Sequence, residues 1–447
     1  MLVLLLFLSI TLVSFPQIEM VNAEGTIYIR SDGSVEGTDK IQQDGNVYTF
    51  TDDIFDPIVV QRDDIVVDGA GYLLQGIGGG MGIHGITGVS IDDRSNVTVK
   101  NIQMKNFFYS IQLRNSSNNT IHGNKIIENH FGIDVSDSSF NIISGNTLTS
   151  NNASINIYHS EYNVVSGNTI TNNNDYTISI SGSFNIISGN TLTNNNNSCI
   201  DLSGSSNNTI FGNNITNNER GITISDIGNV ISIGNLISHN NLINNQYQIY
   251  LWYANATWDD GYPSGGNYWS DYKGTDNDGD AIGDTPYVID ENNTDNYPLM
   301  APIKIFDSGT WEWTTFNVAV VSNSTVSDFS FNPEDALIAF NVEGGTGTTG
   351  FCRVTIPKDL LDTEDNWTIL VDSNSVIPTV NEDATDTYLY FTYNLSTKTV
   401  EIIGTDAIPE FPSWTPTLLV LIVLAVAVAI YKRKLPKTGN TTIILEP

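Results

Sequence analysis

The chain is poor in positive charge. Its 447 residues carry 18 lysines and arginines against 50 aspartates and glutamates, a formal net charge of −32. Such a surface repels a phosphate backbone, so nucleic acid is not an expected partner. Cysteine is nearly absent: Cys199 and Cys352 stand far apart and allow at most one bridge, which excludes a disulfide-built scaffold. Proline occurs only 14 times, and aliphatic and aromatic residues are frequent, so the chain is not an acidic disordered tail either.

Asparagine is abundant instead. There are 53, of which 35 fall between residues 101 and 250, where Lys105, Arg114, Lys125 and Arg220 are the only basic residues. The surplus is periodic. Segments such as SSNNTIHGNKI, DSSFNIISGNTL and SEYNVVSGNTI align so that one column reads Asn119, Asn141, Asn163, Asn185 and Asn208. A second reads Asn124, Asn146, Asn168, Asn190 and Asn213, and both step by 22, 22, 22 and 23 residues. Asn96 and Asn101 continue the two columns upstream by a further step of 23.

A unit of this length, made of short alternating segments, cannot bury an apolar face alone. Stacked as a right-handed single-stranded parallel β-helix of about ten coils, it can. Ile121, Ile143, Val165, Ile187 and Ile210 then form one inward column, and Leu148, Ile170, Leu192 and Ile215 another. Ile133, Ile155, Ile200 and Ile222 form a third, in which Thr177 takes the expected slot beside Ile178 and predicts a one-residue adjustment. The asparagines suit left-handed corners, and stacked amides hydrogen-bond along the ladder. A leucine-rich solenoid has a similar period but needs a denser leucine pattern.

The two ends give an address. Residues 1–23 open on the apolar run MLVLLLFLSITLV and end at Ala23, a secretory signal without the usual leading basic residue. Trp414 to Tyr431 is apolar and is followed by Lys432, Arg433, Lys434 and Lys437, which predicts one membrane-spanning helix with a cytoplasmic tail. Potential glycan acceptors in Asn-x-Ser/Thr sequons are Asn96, Asn115, Asn118, Asn152, Asn196, Asn207, Asn214, Asn255, Asn292, Asn323, Asn366 and Asn394.

The NTIxGNxI core and IVVDGAGYLLQG resemble NosD-type carbohydrate-binding and sugar-hydrolase β-helix proteins of the pectin-lyase-like superfamily. The segment GNYWSDYKGTDNDGDAIGDTPYVID and the IPEFPSW lead into the anchor resemble archaeal cell-surface members of that group. The resemblance covers roughly residues 25–303 and implies a carbohydrate ligand. It also implies a lesser, copper-related alternative, for which the five histidines are too dispersed to read as a soft-metal site.

Asp276, Asp278, Asp280 and Asp284 place carboxylates at positions 1, 3, 5 and 9 of a calcium-type loop, with the Ile282 carbonyl at position 7. Ala281 stands where such loops carry glycine, and Tyr287 where they carry the bidentate glutamate. A structural Ca²⁺ is the expected cofactor. For catalysis, aligning the coils stacks Asp137 beside His159, with Asp134 in a column shared with Gln112 and Asn156, and Arg114 nearby. Polar decoration of a solenoid surface explains the same residues. Asp134 and Asp201 fall three coils apart in that column, roughly 14 Å, beyond the reach of paired glycosidase carboxylates.

The expected organisation is a signal (1–23), a parallel β-helix (24–253), a terminal cap with the acidic loop (254–303) and an antiparallel β-sandwich (304–408). A Pro-rich linker (409–416), a transmembrane helix (417–431) and a cytoplasmic tail (432–447) follow. The expected role is glycan binding or scaffolding at the cell surface. The alternative is a polysaccharide lyase, epimerase or hydrolase acting from the helix face.

Overall fold

The computed structural model describes residues 25–76, 85–228, 230–311 and 314–408. The signal, linker, anchor and tail expected at 1–23, 409–416, 417–431 and 432–447 lie outside them. The described residues are all-β, and none of them forms a helix long and apolar enough to cross a membrane. The chain divides into two compact units, Met1–Thr257 and Trp258–Pro447.

The first unit is built from three long sheets that the chain visits in turn. In one coil, Thr120–His122 lies in the first sheet, Lys125–Ile127 in the second and Phe131–Ser136 in the third. Each strand pairs in parallel with its equivalent one coil on: Ile121 with Ile143, Ile126 with Leu148, Ile133 with Ile155. The expected apolar columns point inward and are fully buried, Ile121, Ile143, Val165, Ile187 and Ile210 among them. Burying an isoleucine or leucine contributes about 1.5–3 kcal/mol, and repeating that at every coil holds the solenoid together. The adjustment at Thr177 is present: Ile178, not Thr177, pairs with Ile155 on one side and Ile200 on the other.

The asparagine ladder differs from expectation in three respects. First, the ladder asparagines do not themselves occupy the left-handed corners. The residue before each one does: Gly123, Gly145, Gly167, Gly189 and Gly212 precede the second column with φ from 62 to 66°. Second, Asn96 and Asn101 are such corner residues (φ 54°), and the column partners one coil above are Val97 and Ile102, whose N–H groups donate to Asn119 and Asn124. The step there is 22, not 23. Third, a further column, Asn129, Asn151, Asn173, Asn195, Asn218 and Asn245, runs along another corner with the same bonding.

The second unit contains two five-stranded antiparallel sheets that enclose one core. The alternating run from Thr310 to Val321 is divided between two strands, Ile303–Trp311 and Thr314–Ser322, paired antiparallel. Cys352 lies in this core and Cys199 in that of the first unit. Both are free and buried, and burial pushes the Cys352 thiol up to about 11.

Candidate ligand-binding faces of the parallel coils

A β-strand sends alternate side chains to opposite faces. In the third sheet this leaves one outward column of Gln112, Asp134, Asn156, Ser179, Asp201 and Thr223 at successive coils. The column is polar yet shielded: Gln112 is 4% exposed, Asp134 7%, Asp201 5% and Thr223 5%. Asp134 is hydrogen-bonded at both oxygens. Its Oδ2 accepts the Gln112 amide at 3.1 Å and its Oδ1 the Asn156 amide at 2.8 Å. A carboxylate clamped by two amides ties three successive coils together.

Asp137 and His159 meet as the column alignment requires, with Nδ1 and Oδ1 3.9 Å apart. Both are exposed and both sit at left-handed corners, φ 51° and 48°, in line with Asn115 at 49°. Aspartate, asparagine and histidine are the residues that tolerate this conformation, which accounts for their place in the turn independently of any chemistry. Arg114 is exposed on the same strand as Gln112 and forms no ion pair among the described residues.

Two groupings were not anticipated from the sequence. In the first, Asp201 is flanked by Ser203, whose hydroxyl donates to its Oδ1, with Arg220 and Tyr176 close by. Burial raises the Asp201 carboxyl above the ordinary carboxylate range, against the opposing pull of Ser203 and Arg220. The Arg220 guanidinium covers the Tyr250 ring at 4.6 Å, and its Nε is buried without a hydrogen-bond partner among the described residues. Burial, and the charges of Asp201 and Asp175, raise the Tyr176 phenol likewise.

The second grouping is a cleft of about 490 Å³ on the outer face of the second sheet. Tyr72, Gln103, Lys105, Lys125, Glu128 and Asp53 contribute to its lining. Pairing of Gln103 with Lys125 and of Lys105 with Ile127 places the two lysines on adjacent strands. Neither lysine forms an ion pair among the described residues, and Lys125 is exposed. The sequence holds a signal for both groupings, because these residues are three of the four cations between residues 101 and 250. Which cations share a surface emerges only from the strand register.

The sequons lie mostly at the surface. Asn152 and Asn214 are half-buried, and the other ten, including the corner residues Asn96, Asn118 and Asn207, are exposed.

Residues 61–274 match the family described as periplasmic copper-binding protein (NosD). No curated protein matches the chain. Among solved structures, an alginate lyase from Paenibacillus sp. str. FPU-7 is similar at 13% identity over 45% of this chain and 84% of its own, with a TM-score of 0.30. The catalytic domain of a GH87 alpha-1,3-glucanase in complex with nigerose is 16% identical over 47% of this chain and 58% of its own, with a TM-score of 0.30. The enzymatically active domain of bacteriophage CBA120 tailspike protein 2 is 10% identical over 80% of this chain and 64% of its own, with a TM-score of 0.38.

Copper takes soft or imidazole donors. Here His122 bonds Ser144, His130 packs on Phe108, and His159 pairs with Asp137. Met104 and Cys199 are buried in the core, and His84 lies outside the described residues. Among the described residues the one group of three or more potential ligands is Asp276, Asp278 and Asp280, an all-oxygen set. These residues do not fit a copper centre.

Proposed function

We infer that this chain, a NosD-type parallel β-helix protein through residues 61–274, binds an extended acidic glycan along its coils. The observation that carries the reading is the cleft holding Lys105 and Lys125 beside the Tyr72 ring. In a chain of net charge −32, two lysines that share one concavity and form no ion pair among the described residues favour an anionic ligand, although Asp53, bonded to the Leu73 N–H, and Glu128 also line it. A tyrosine 38% exposed adds an apolar face for a sugar ring. Coils that repeat their polar groups every ~4.8 Å suit a linear polymer better than a compact molecule. The role is binding or scaffolding on the exported side of a membrane. Signal 1–23 and anchor 417–431 supply the address, and the exposed sequons are glycan acceptors. The winding is right-handed, as parallel crossovers of L-residues are.

The test is affinity electrophoresis of the intact protein against a polyuronate and a neutral glucan. The polyuronate is expected to retard it, with retardation weakening as salt rises. The double substitution Lys105→Ala, Lys125→Ala is expected to weaken it at least about tenfold. Equal retardation by both polymers, or an unchanged double variant, overturns the reading.

A second reading rests on Asp201. A shielded carboxyl with a raised pKa, next to an arginine and a tyrosine, has the make-up of a general acid in a polysaccharide lyase, epimerase or hydrolase. New reducing or unsaturated ends that vanish in Asp201→Asn would favour it over binding alone.

A further inference from the structure

The acidic loop of the second unit holds a group that the glycan reading does not use. Asp276, Asp278 and Asp280 each offer a carboxylate oxygen, and these oxygens lie within 4.8 Å of one another. The turn that gathers them is rigid. Asp276 accepts the N–H groups of Gly279 at 2.7 Å, Asp280 at 3.2 Å and Ala281 at 2.9 Å. Asp280 is 4% exposed; its Oδ1 accepts the Ile282 N–H at 2.8 Å, and its Oδ2 has no hydrogen-bond partner among the described residues.

That orphaned oxygen decides the matter. A buried carboxylate oxygen left without a donor keeps its full desolvation penalty, so such atoms are rare unless something fills the place. Tyr262 and Arg353 both act on the Asp280 carboxylate, yet neither meets its Oδ2 in hydrogen-bond geometry. Arg353 is 2% exposed, and its guanidinium donates to the main-chain carbonyls of Pro263 and Ser264. Asp284 stands outside the three-carboxylate group, with its Oδ2 receiving both the backbone and side-chain N–H of Asn277, at 2.7 and 2.6 Å.

We propose that Asp276, Asp278 and Asp280 bind one Ca²⁺, with the unpartnered Oδ2 of Asp280 as a ligand. Hard oxygen donors on alternate positions of a tight loop suit calcium, which accepts six to eight oxygens in flexible geometry. Magnesium demands a stricter octahedron and is the poorer fit. The ion acts on the packing that follows the loop. Ala281 and Ile282, next in sequence to Asp280, share a core with Leu299, Ala301, Ile303 and Val321. The Ala281 carbonyl accepts the Met300 N–H at 3.0 Å, and the Gly283 N–H donates to Pro298 at 2.8 Å. Holding Asp280 therefore pins the loop against the antiparallel sheets of its own unit.

The experiment is titration calorimetry of the intact protein with calcium chloride and, separately, magnesium chloride, together with melting curves with and without chelator. One calcium per chain is expected, with magnesium at least about tenfold weaker and the melting temperature lowered by chelator. Asp280→Asn and the exposed Asp278→Asn are each expected to weaken calcium binding at least about tenfold. Asp278→Asn, which disturbs no buried contact, should keep a native circular dichroism spectrum, so loss of binding there is not loss of fold. An absence of binding at millimolar calcium overturns the proposal. So does a one-site isotherm that survives both substitutions, because the ion then sits elsewhere on the acidic surface.

Discussion

The side chain of Asn168 supplies through its Oδ1 the acceptor for the backbone N–H of Asn146, one coil earlier, at 2.9 Å. The same oxygen receives the Asn146 amide at 3.1 Å, while the Asn168 amide donates to the Ile143 carbonyl at 2.9 Å. Each ladder asparagine thus replaces a backbone partner at a corner where the parallel ladder is interrupted, and passes the same service to the next coil. Both residues are 1% exposed, so no water can substitute.

Asn168→Ala is therefore expected to destabilise the first unit by about 2–4 kcal/mol, since it orphans a buried N–H and a buried carbonyl together. Urea denaturation followed by circular dichroism measures it. A loss below about 1 kcal/mol would mean that the ladder amides contribute no more than ordinary surface hydrogen bonds.

A second ladder was not expected. Phe140, Tyr162 and Phe184 stack in consecutive coils with centroids 5.1 Å apart and interplanar angles of 3° and 7°. All three hold left-handed backbone, φ 60°, 56° and 59°, where the coils on either side place Asn118 and Asn207. The rings offset a conformation that disfavours them by roughly 1–2 kcal/mol per residue. Tyr162→Ala keeps the strain and loses both stacks, and should cost about 1–3 kcal/mol. Tyr162→Asn loses the stacks but relieves the backbone, so its loss should be distinctly smaller. Equal losses in the two variants' denaturation midpoints would refute that balance.

Asp295 gives the second unit a pH dependence. Burial pushes its carboxyl up to about 7 although it accepts N–H groups from Asn267 at 2.8 Å, Trp269 at 2.8 Å and Tyr297 at 3.0 Å. The folded state therefore holds this proton more tightly than the unfolded chain, whose carboxyl titrates near 3.8. Its contribution is complete below about pH 4 and is lost as pH rises through about 7, at most about 4 kcal/mol at 1.4 kcal/mol per unit. Asp295→Asn cannot titrate, so its stability relative to the parent should climb between pH 4 and pH 7 and level off above. A constant difference across that range would show that Asp295 ionises normally.

Much of the first unit was legible because a parallel solenoid writes its contacts as a period. Ile121 and Ile143 touch because they are one coil apart, and the 22-residue step states that distance directly. Even the slip at Thr177 could be read, since one displaced apolar residue in a column has one place to go. The gathering of Asp276, Asp278 and Asp280 was legible for a similar reason, since the three are near neighbours in sequence; that Asp284 turns to Asn277 instead was not. The exchange of Asn96 and Asn101 from ladder to corner was not, because asparagine suits both places and the choice depends on which N–H lies above.

Length, period and composition by themselves determined that this chain folds as stacked parallel coils followed by antiparallel sheets, and that its surface is anionic. Tertiary structure alone decided which polar residues act together. Asp134 is hydrogen-bonded by amides from two other coils, Asp201 is shielded beside Arg220, and Lys105 and Lys125 open into one cleft. The physical reason is that burial and solvation belong to a surface, and a surface of this solenoid is assembled from residues 22 or more positions apart, whose register is set by the core beneath them.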